Sequence, residues 1–138
     1  MSQKILLIED DVFLKDIYHE VLTSAGFSVV LATTLDEIMK EARNSVFDLV
    51  LIDFYLPGAN GIEVVDRLKS LSPVPAKEFV FLTNVSDPND LKLIEDSGCK
   101  NITKSDVSPQ ELVVKVQEIL DGQNKVTSKD SAQSSPEN

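Results

Sequence analysis

The sequence predicts an α/β domain, with a parallel sheet covered by helices on both faces. Three observations predict it. Short runs such as Lys4-Ile5-Leu6-Leu7-Ile8, Leu49-Val50-Leu51-Ile52 and Phe79-Val80-Phe81-Leu82 are apolar without alternation, as strands buried on both sides are. The stretches between them repeat apolar residues at helical spacing. Each strand stops on a polar or charged residue, and the β–α alternation with short loops recurs along the chain.

The elements follow in order. After the first strand, Leu14, Ile17, Tyr18, Val21, Leu22 and Ala25 form an apolar stripe over a helix spanning 11–25, and Gly26 ends it. Phe27 to Leu31 reads as the second strand. Thr34-Leu35-Asp36-Glu37 is a capping box, because the hydroxyl and the carboxylate each satisfy a free backbone N–H, and its helix runs to about Asn44. Leu49–Ile52 is the third strand. Pro57-Gly58 turns the chain into a third helix near Gly61–Leu71, with Ile62, Val65 and Leu68 facing in. The fourth strand, Phe79–Leu82, follows the stiff Ser72-Pro73-Val74-Pro75 loop. Asp87-Pro88 opens a fourth helix as N-cap and first residue, and Gly98 closes it. Asn101-Ile102-Thr103 is a weaker fifth strand. Ser108-Pro109-Gln110-Glu111 starts the last helix, whose stripe is Leu112, Val116, Ile119 and Leu120 and whose expected stop is Gly122. The expected division is a domain over 1–122 and a disordered polar tail or linker stub over 123–138, where little can be buried.

Composition narrows the function. The chain has 138 residues, 42% hydrophobic and 26% charged, which is one globular domain. No apolar run approaches the ~20 residues of a membrane span. The start at Met1 leads straight into a strand, so no signal peptide is expected. One cysteine, Cys99, allows no internal disulfide and fits a reducing cytoplasm. The net charge of −10 argues against direct nucleic-acid binding.

The chemistry lies at the strand ends. The first strand ends on Glu9-Asp10-Asp11, the third on Asp53, the fourth on Thr83-Asn84 and the fifth on Lys104. In a parallel sheet these ends share one edge, where open α/β sheets place their ligand crevice. Each residue also has a plainer reading. Asp53 could cap a loop, Glu9, Asp10 or Asp11 could cap the first helix, Thr83 could pack and Lys104 could be solvated. His19 reads as an exposed bystander and Cys99 as a small buried residue. Phe13 lies off the core stripe beside Asp10 and Asp11, placed for a partner contact.

Taken together and in order, Glu9-Asp10, Asp53-Phe54-Tyr55-Leu56-Pro57-Gly58 with Gly61 following, Thr83 and Lys104 resemble the receiver domain of bacterial two-component response regulators, over residues 3 to about 122. The resemblance implies the flavodoxin-like (βα)5 doubly wound fold, with strand order 2-1-3-4-5. It implies a phosphoryl group taken onto Asp53 from a sensor histidine kinase or histidine phosphotransfer protein, with no independent substrate. It implies Mg²⁺ held by Asp10, Asp53 and the Tyr55 backbone carbonyl, with Glu9 acting through a coordinated water. Thr83 and Lys104 would bind phosphoryl oxygens, Thr83 also moving as the switch. Tyr55 and Val85 would line the approach of the hydrolytic water. The signal would pass to a downstream protein target or a lost output domain, with no direct nucleic acid and no membrane.

Some positions depart from that pattern. Asn101 stands where the family's switch aromatic does, three residues before the lysine, and Gly98 to Lys104 is about one residue short. Ser105 replaces a proline that often carries a cis bond, so a trans Lys104–Ser105 peptide is expected. Asn84 replaces a small residue. These departures keep a phosphorylation-independent interaction module in view as the alternative. An aspartyl-nucleophile phosphohydrolase would need a second aspartate where Tyr55 stands, and a flavin carrier would need a Ser/Thr-rich loop where Glu9-Asp10-Asp11 repels phosphate.

Overall fold

The computed structural model describes the backbone of residues 2–132 and the side-chain environments of residues 2–122. The main sheet has five strands: β1 (Lys4–Ile8), β2 (Ser28–Ala32), β3 (Leu49–Ile52), β6 (Phe79–Thr83) and β7 (Lys100–Thr103). A separate antiparallel ribbon pairs β4 (Tyr55–Leu56) with β5 (Ala59–Asn60). The helices are α1 (Val12–Ser24), α2 (Leu35–Asn44), α3 (Gly61–Lys69), α4 (Pro88–Ser97) and α5 (Pro109–Ala132). The sheet order is β2-β1-β3-β6-β7, parallel throughout. That is 2-1-3-4-5 for the five strands expected, the flavodoxin-like doubly wound fold.

The unbroken apolar runs are explained by two cores. On one face Leu6, Ile8, Val50, Ile52, Phe79 and Phe81 meet α2, α3 and α4. On the other Ile5, Leu7, Leu49, Leu51, Val80 and Leu82 meet α1 and α5. Successive residues of a strand point to opposite faces, so a strand covered on both sides has no polar positions left. Each buried Leu, Ile or Phe contributes about 1.5–3 kcal/mol of hydrophobic stabilisation.

Local signals set the helix ends. Asp11 caps α1, accepting the Leu14 N–H at 3.0 Å, so it takes the plainer of its readings. Thr34 with Glu37 and Ser108 with Glu111 form the expected reciprocal caps. Asn60 with Glu63 forms one more, at the start of α3, that the sequence reading did not pick out. Gly26 and Gly98 take left-handed φ of 102° and 75° at the ends of α1 and α4.

Some expectations need correction. Ile17 and Ala25 are exposed, so α1 buries a narrower stripe than its spacing allows, centred on Tyr18 and Leu22. In α3 the buried positions are Val64, Val65 and Leu68, with Ile62 half-buried. His19 and Cys99 are both half-buried. The stop at Gly122 is absent, and α5 continues to Ala132, into the stretch expected to be a disordered tail. Glycine inside a helix costs about 1 kcal/mol relative to alanine, which weakens a helix without ending it. Gly122 has no positive φ, and no proline follows before Pro136. Residues 133–138, the rest of that tail, lie outside the described residues.

Gly61 is a glycine for lack of space. A Cβ there would stand 2.6 Å from the Phe81 ring, 2.8 Å from the Asp53 carbonyl oxygen and 3.0 Å from the Phe54 Cα. Two of those atoms are backbone and cannot swing away. Gly61→Ala should therefore destabilise by about 1–3 kcal/mol in urea denaturation. Gly122→Ala, with open space around it, should instead stabilise by up to about 1 kcal/mol.

Candidate functional site

Strand register assembles the site. Ile8 pairs with Ile52, and the Asp53 N–H donates to the Ile8 carbonyl at 3.0 Å, so Glu9 and Asp53 leave the sheet side by side. Thr83 pairs with Thr103, which brings Lys104 up just beyond it. The strand-end residues named from the sequence therefore meet at one edge.

Asp53 is held on both oxygens. Its Oδ1 accepts the Thr83 hydroxyl at 2.7 Å and the Tyr55 N–H at 3.2 Å. Its Oδ2 accepts the Lys104 ammonium at 3.0 Å. Lys104 also lies 2.7 Å from Glu9 Oε1, and Glu9 takes the Asp11 N–H on its other oxygen at 3.2 Å. Glu9 and Thr83 are each 1% exposed and Asp53 8%, whereas Asp10 is exposed. Thr83 and Lys104 both direct their polar groups to Asp53, and the Lys104 side chain is largely withdrawn from solvent.

Burial and charge pull against each other. Burial pushes the Glu9 carboxyl above its ordinary range, and the Asp53 charge adds to that; pairing with Lys104 opposes the shift without cancelling it. Burial also pulls the Lys104 ammonium down, but its hydrogen bonds and charge attraction to Glu9 and Asp53 outweigh that and hold it above its ordinary value. One ammonium, paired with Glu9 and Asp53, stands against a cluster of three carboxylates, Glu9, Asp10 and Asp53, whose oxygens lie within 4.8 Å of one another. Acidic charge is thus in excess, and hard oxygen donors converge from two strand ends. That donor set suits a small divalent cation such as Mg²⁺.

The mouth of the site shows contacts that were not read from the sequence. The Tyr55 hydroxyl donates to Asp90 Oδ2 at 2.8 Å, and its ring stands edge-on to Phe54 at 5.0 Å. Asn84 Oδ1 accepts the Ser105 N–H at 2.8 Å. Among the described residues the one cis peptide is Ser72–Pro73, so Lys104–Ser105 is trans as expected. Asn101 is exposed on β7, beside Phe81 in register. Phe13 is 80% exposed at the start of α1. Pairs such as Tyr55 and Asp90, far apart in sequence, leave no periodicity to find.

A doubly wound parallel sheet whose carboxyl edge gathers an acidic pair, an aspartate, a threonine and a lysine defines a class of signalling domain. The response regulator receiver domain family matches residues 5–117, and the chain belongs to that family. The chain is 35% identical over 116 residues to the DNA-binding response regulator MtrA of Mycobacterium tuberculosis (strain ATCC 25618 / H37Rv), covering 84% of this chain and 50% of that protein. It is 28% identical over 120 residues to the phosphate regulon transcriptional regulatory protein PhoB of Escherichia coli K12, covering 87% and 52%. The chain thus spans about half the length of these curated relatives. A CheY-like receiver domain protein from Methanospirillum hungatei JF-1 superposes with a TM-score of 0.79 at 28% identity, over 91% of this chain and 98% of that one.

Lys104 supports the site's stability as well as its charge balance. Lys104→Met leaves Glu9 and Asp53 buried and uncompensated, so it should cost about 3 kcal/mol at pH 7. Glu9 already has a raised pKa, and losing the cation raises it further. A raised carboxyl is most compatible with folding when protonated, below its ordinary pKa, and its ionisation costs stability as pH rises through the folded value. The difference between Lys104→Met and wild type should therefore shrink from pH 7 to pH 5, measured by urea denaturation at both.

Proposed function

We propose that Asp53 is the phosphoacceptor of this receiver domain. It would take a phosphoryl group from the phosphohistidine of a sensor histidine kinase or histidine phosphotransfer protein, in a Mg²⁺-dependent reaction. The observation that carries this reading is the Asp53 carboxylate, buried at a strand end and bonded by Thr83, the Tyr55 N–H and Lys104. An Asp53 oxygen attacks phosphorus, the P–N bond to histidine breaks, and the imidazole leaves with its electron pair. The transferred group spreads charge over its equatorial oxygens, so the protein contributes mainly position and opposing charge. The Lys104 ammonium and the Thr83 hydroxyl, now on Asp53, turn to two of those oxygens. Glu9, Asp10, Asp53 and the Tyr55 carbonyl are the groups that would hold Mg²⁺, Glu9 through a coordinated water. When bound, the ion neutralises the excess acidic charge that would otherwise repel the donor.

The domain carries out its own phosphorylation and hydrolysis and turns over no separate substrate. A net charge of −10 favours signalling by protein contact, to a downstream protein or an output domain, without direct nucleic acid or membrane contact. No described helix is long and apolar enough to cross a membrane. The cytoplasm is part of the proposal, as the compartment in which the proposed phosphohistidine donor would act.

Incubation with phosphoramidate and Mg²⁺ should add one phosphoryl group by intact-protein mass spectrometry. Asp53→Asn and EDTA should each abolish it, and continued labelling of Asp53→Asn overturns the assignment. The switch is the second part of the proposal. Thr83 moves toward the phosphoryl group, but Asn101, polar and exposed, gains little from turning inward. Beryllofluoride should therefore shift amide resonances mainly in the loops after β3 and β6. Large NMR shifts throughout α4, β7 and α5 would contradict a weak switch at Asn101.

A further inference from the structure

We propose that Asp90, the third residue of α4, is a positioning residue that keeps the Tyr55 ring closed over Asp53 and so sets how long a phosphoryl group survives there. The proposal rests on the phosphoacceptor reading of Asp53 and adds to it a residue outside the bonding sphere of the carboxylate.

Tyr55 is 48% exposed, so burial alone does not fix its ring. Three directional contacts do. Its N–H donates to Asp53 Oδ1 at 3.2 Å, its ring meets Phe54 edge-on at an interplanar angle of 86°, and its hydroxyl donates to Asp90 Oδ2 at 2.8 Å. The side chain thus bridges the loop that carries Asp53 and the first turn of α4, which follows Thr83. Val85, two residues after Thr83, is half-buried against the core.

The other helix starts show what is unusual about Asp90. In α2, α3 and α5 the third residue is a glutamate, and its carboxylate returns to the N–H of its own cap: Glu37 to Thr34, Glu63 to Asn60, Glu111 to Ser108. In α4 the acid at that position is an aspartate, one methylene shorter. The cap Asp87 satisfies the Asn89 and Asp90 N–H groups at 2.8 and 3.4 Å. The Asp90 carboxylate turns outward to the phenol instead. Its place in the first turn, near the positive end of the helix dipole, favours its charge there.

The chemical consequence follows from the geometry of hydrolysis. Water oxygen must approach phosphorus opposite the Asp53 oxygen. The new P–O bond forms, the bond to Asp53 breaks, Asp53 leaves as a carboxylate, and the water protons pass to phosphate and solvent. The family resemblance sets the Tyr55 position beside that approach, and in this proposal its ring, held at Phe54 and Asp90, lies across it and keeps water out. A ring fastened only at its backbone end swings aside by rotation about χ1.

The test is the decay of phosphoprotein made with phosphoramidate and Mg²⁺, followed by intact mass after the donor is removed. Asp90→Ala and Tyr55→Phe should each shorten the half-life about threefold to tenfold, the range expected for one lost hydrogen bond. The double variant should decay no faster than either single one. Asp90→Asn keeps an oxygen acceptor and should stay within about twofold of wild type, as a loss of hydrogen bonding rather than charge requires. An unchanged or longer half-life for Asp90→Ala overturns the proposal, as do additive effects in the double variant or an Asp90→Asn as fast as Asp90→Ala. Failure of the wild type to label at all overturns the phosphoacceptor reading itself, and this proposal with it.

Discussion

The Lys104 ammonium, set between Glu9 and Asp53 at 2.7 and 3.0 Å, is the interaction on which the site depends. Glu9 follows β1, Asp53 follows β3 and Lys104 follows β7, so the trio exists only when the sheet is complete and in register. Removing charges from water costs several kcal/mol per ion unless they are paired and hydrogen-bonded. Every contact around Asp53 serves that need: the Thr83 hydroxyl, the Tyr55 N–H and the ammonium share its two oxygens. Asp10 has no such role and is exposed. A site designed for stability alone would not place a further carboxylate there. Its place next to Glu9 and Asp53 completes a set of oxygen donors that could hold a cation.

Much of this was readable from the chain, because the two strongest signals are local. Unbroken apolar runs locate buried strands, and each run ends at a defined residue, so Asp53, Thr83 and Lys104 fall at the sheet edge by counting. Helix caps built on Thr34, Asp87 and Ser108 were legible for the same reason. The Asn60–Glu63 cap sits directly behind the Pro57-Gly58 turn, whose breaker residues dominate the local pattern. Periodicity shows which way a helix faces but not how wide its cover is. Ile17 therefore looked buried, yet it is exposed; Tyr18 and Leu22 are the buried residues, with Leu14 and Val21 half-buried beside them. Gly122 shows that glycine ends a helix only where the backbone takes a left-handed turn, as Gly98 does.

The departures at 84 and 105 depend on each other. Ser105 has a backbone N–H that a proline would lack, and Asn84 has a side-chain carbonyl that a small residue would lack. They meet at 2.8 Å, tying the residue after Thr83 to the residue after Lys104. Considered one at a time, each looked like a loss from the family pattern. In space they form one cross-brace between the two loops that carry the groups bonded to Asp53. Because the bond is exposed, its value lies in fixing the spacing of the loops more than in free energy.

β7 is an outer strand of the sheet and pairs only with β6. Of its four residues only Ile102 is fully buried. Sheet margins open more readily than sheet centres, and here the margin carries the only cation of the trio. If β7 frays while the remaining strands hold, Lys104 leaves, and Glu9 and Asp53 stay buried without the cation that pairs them. The ion trio is thus tied to an outer strand of the sheet, and its integrity reports on a margin rather than on the centre of the fold.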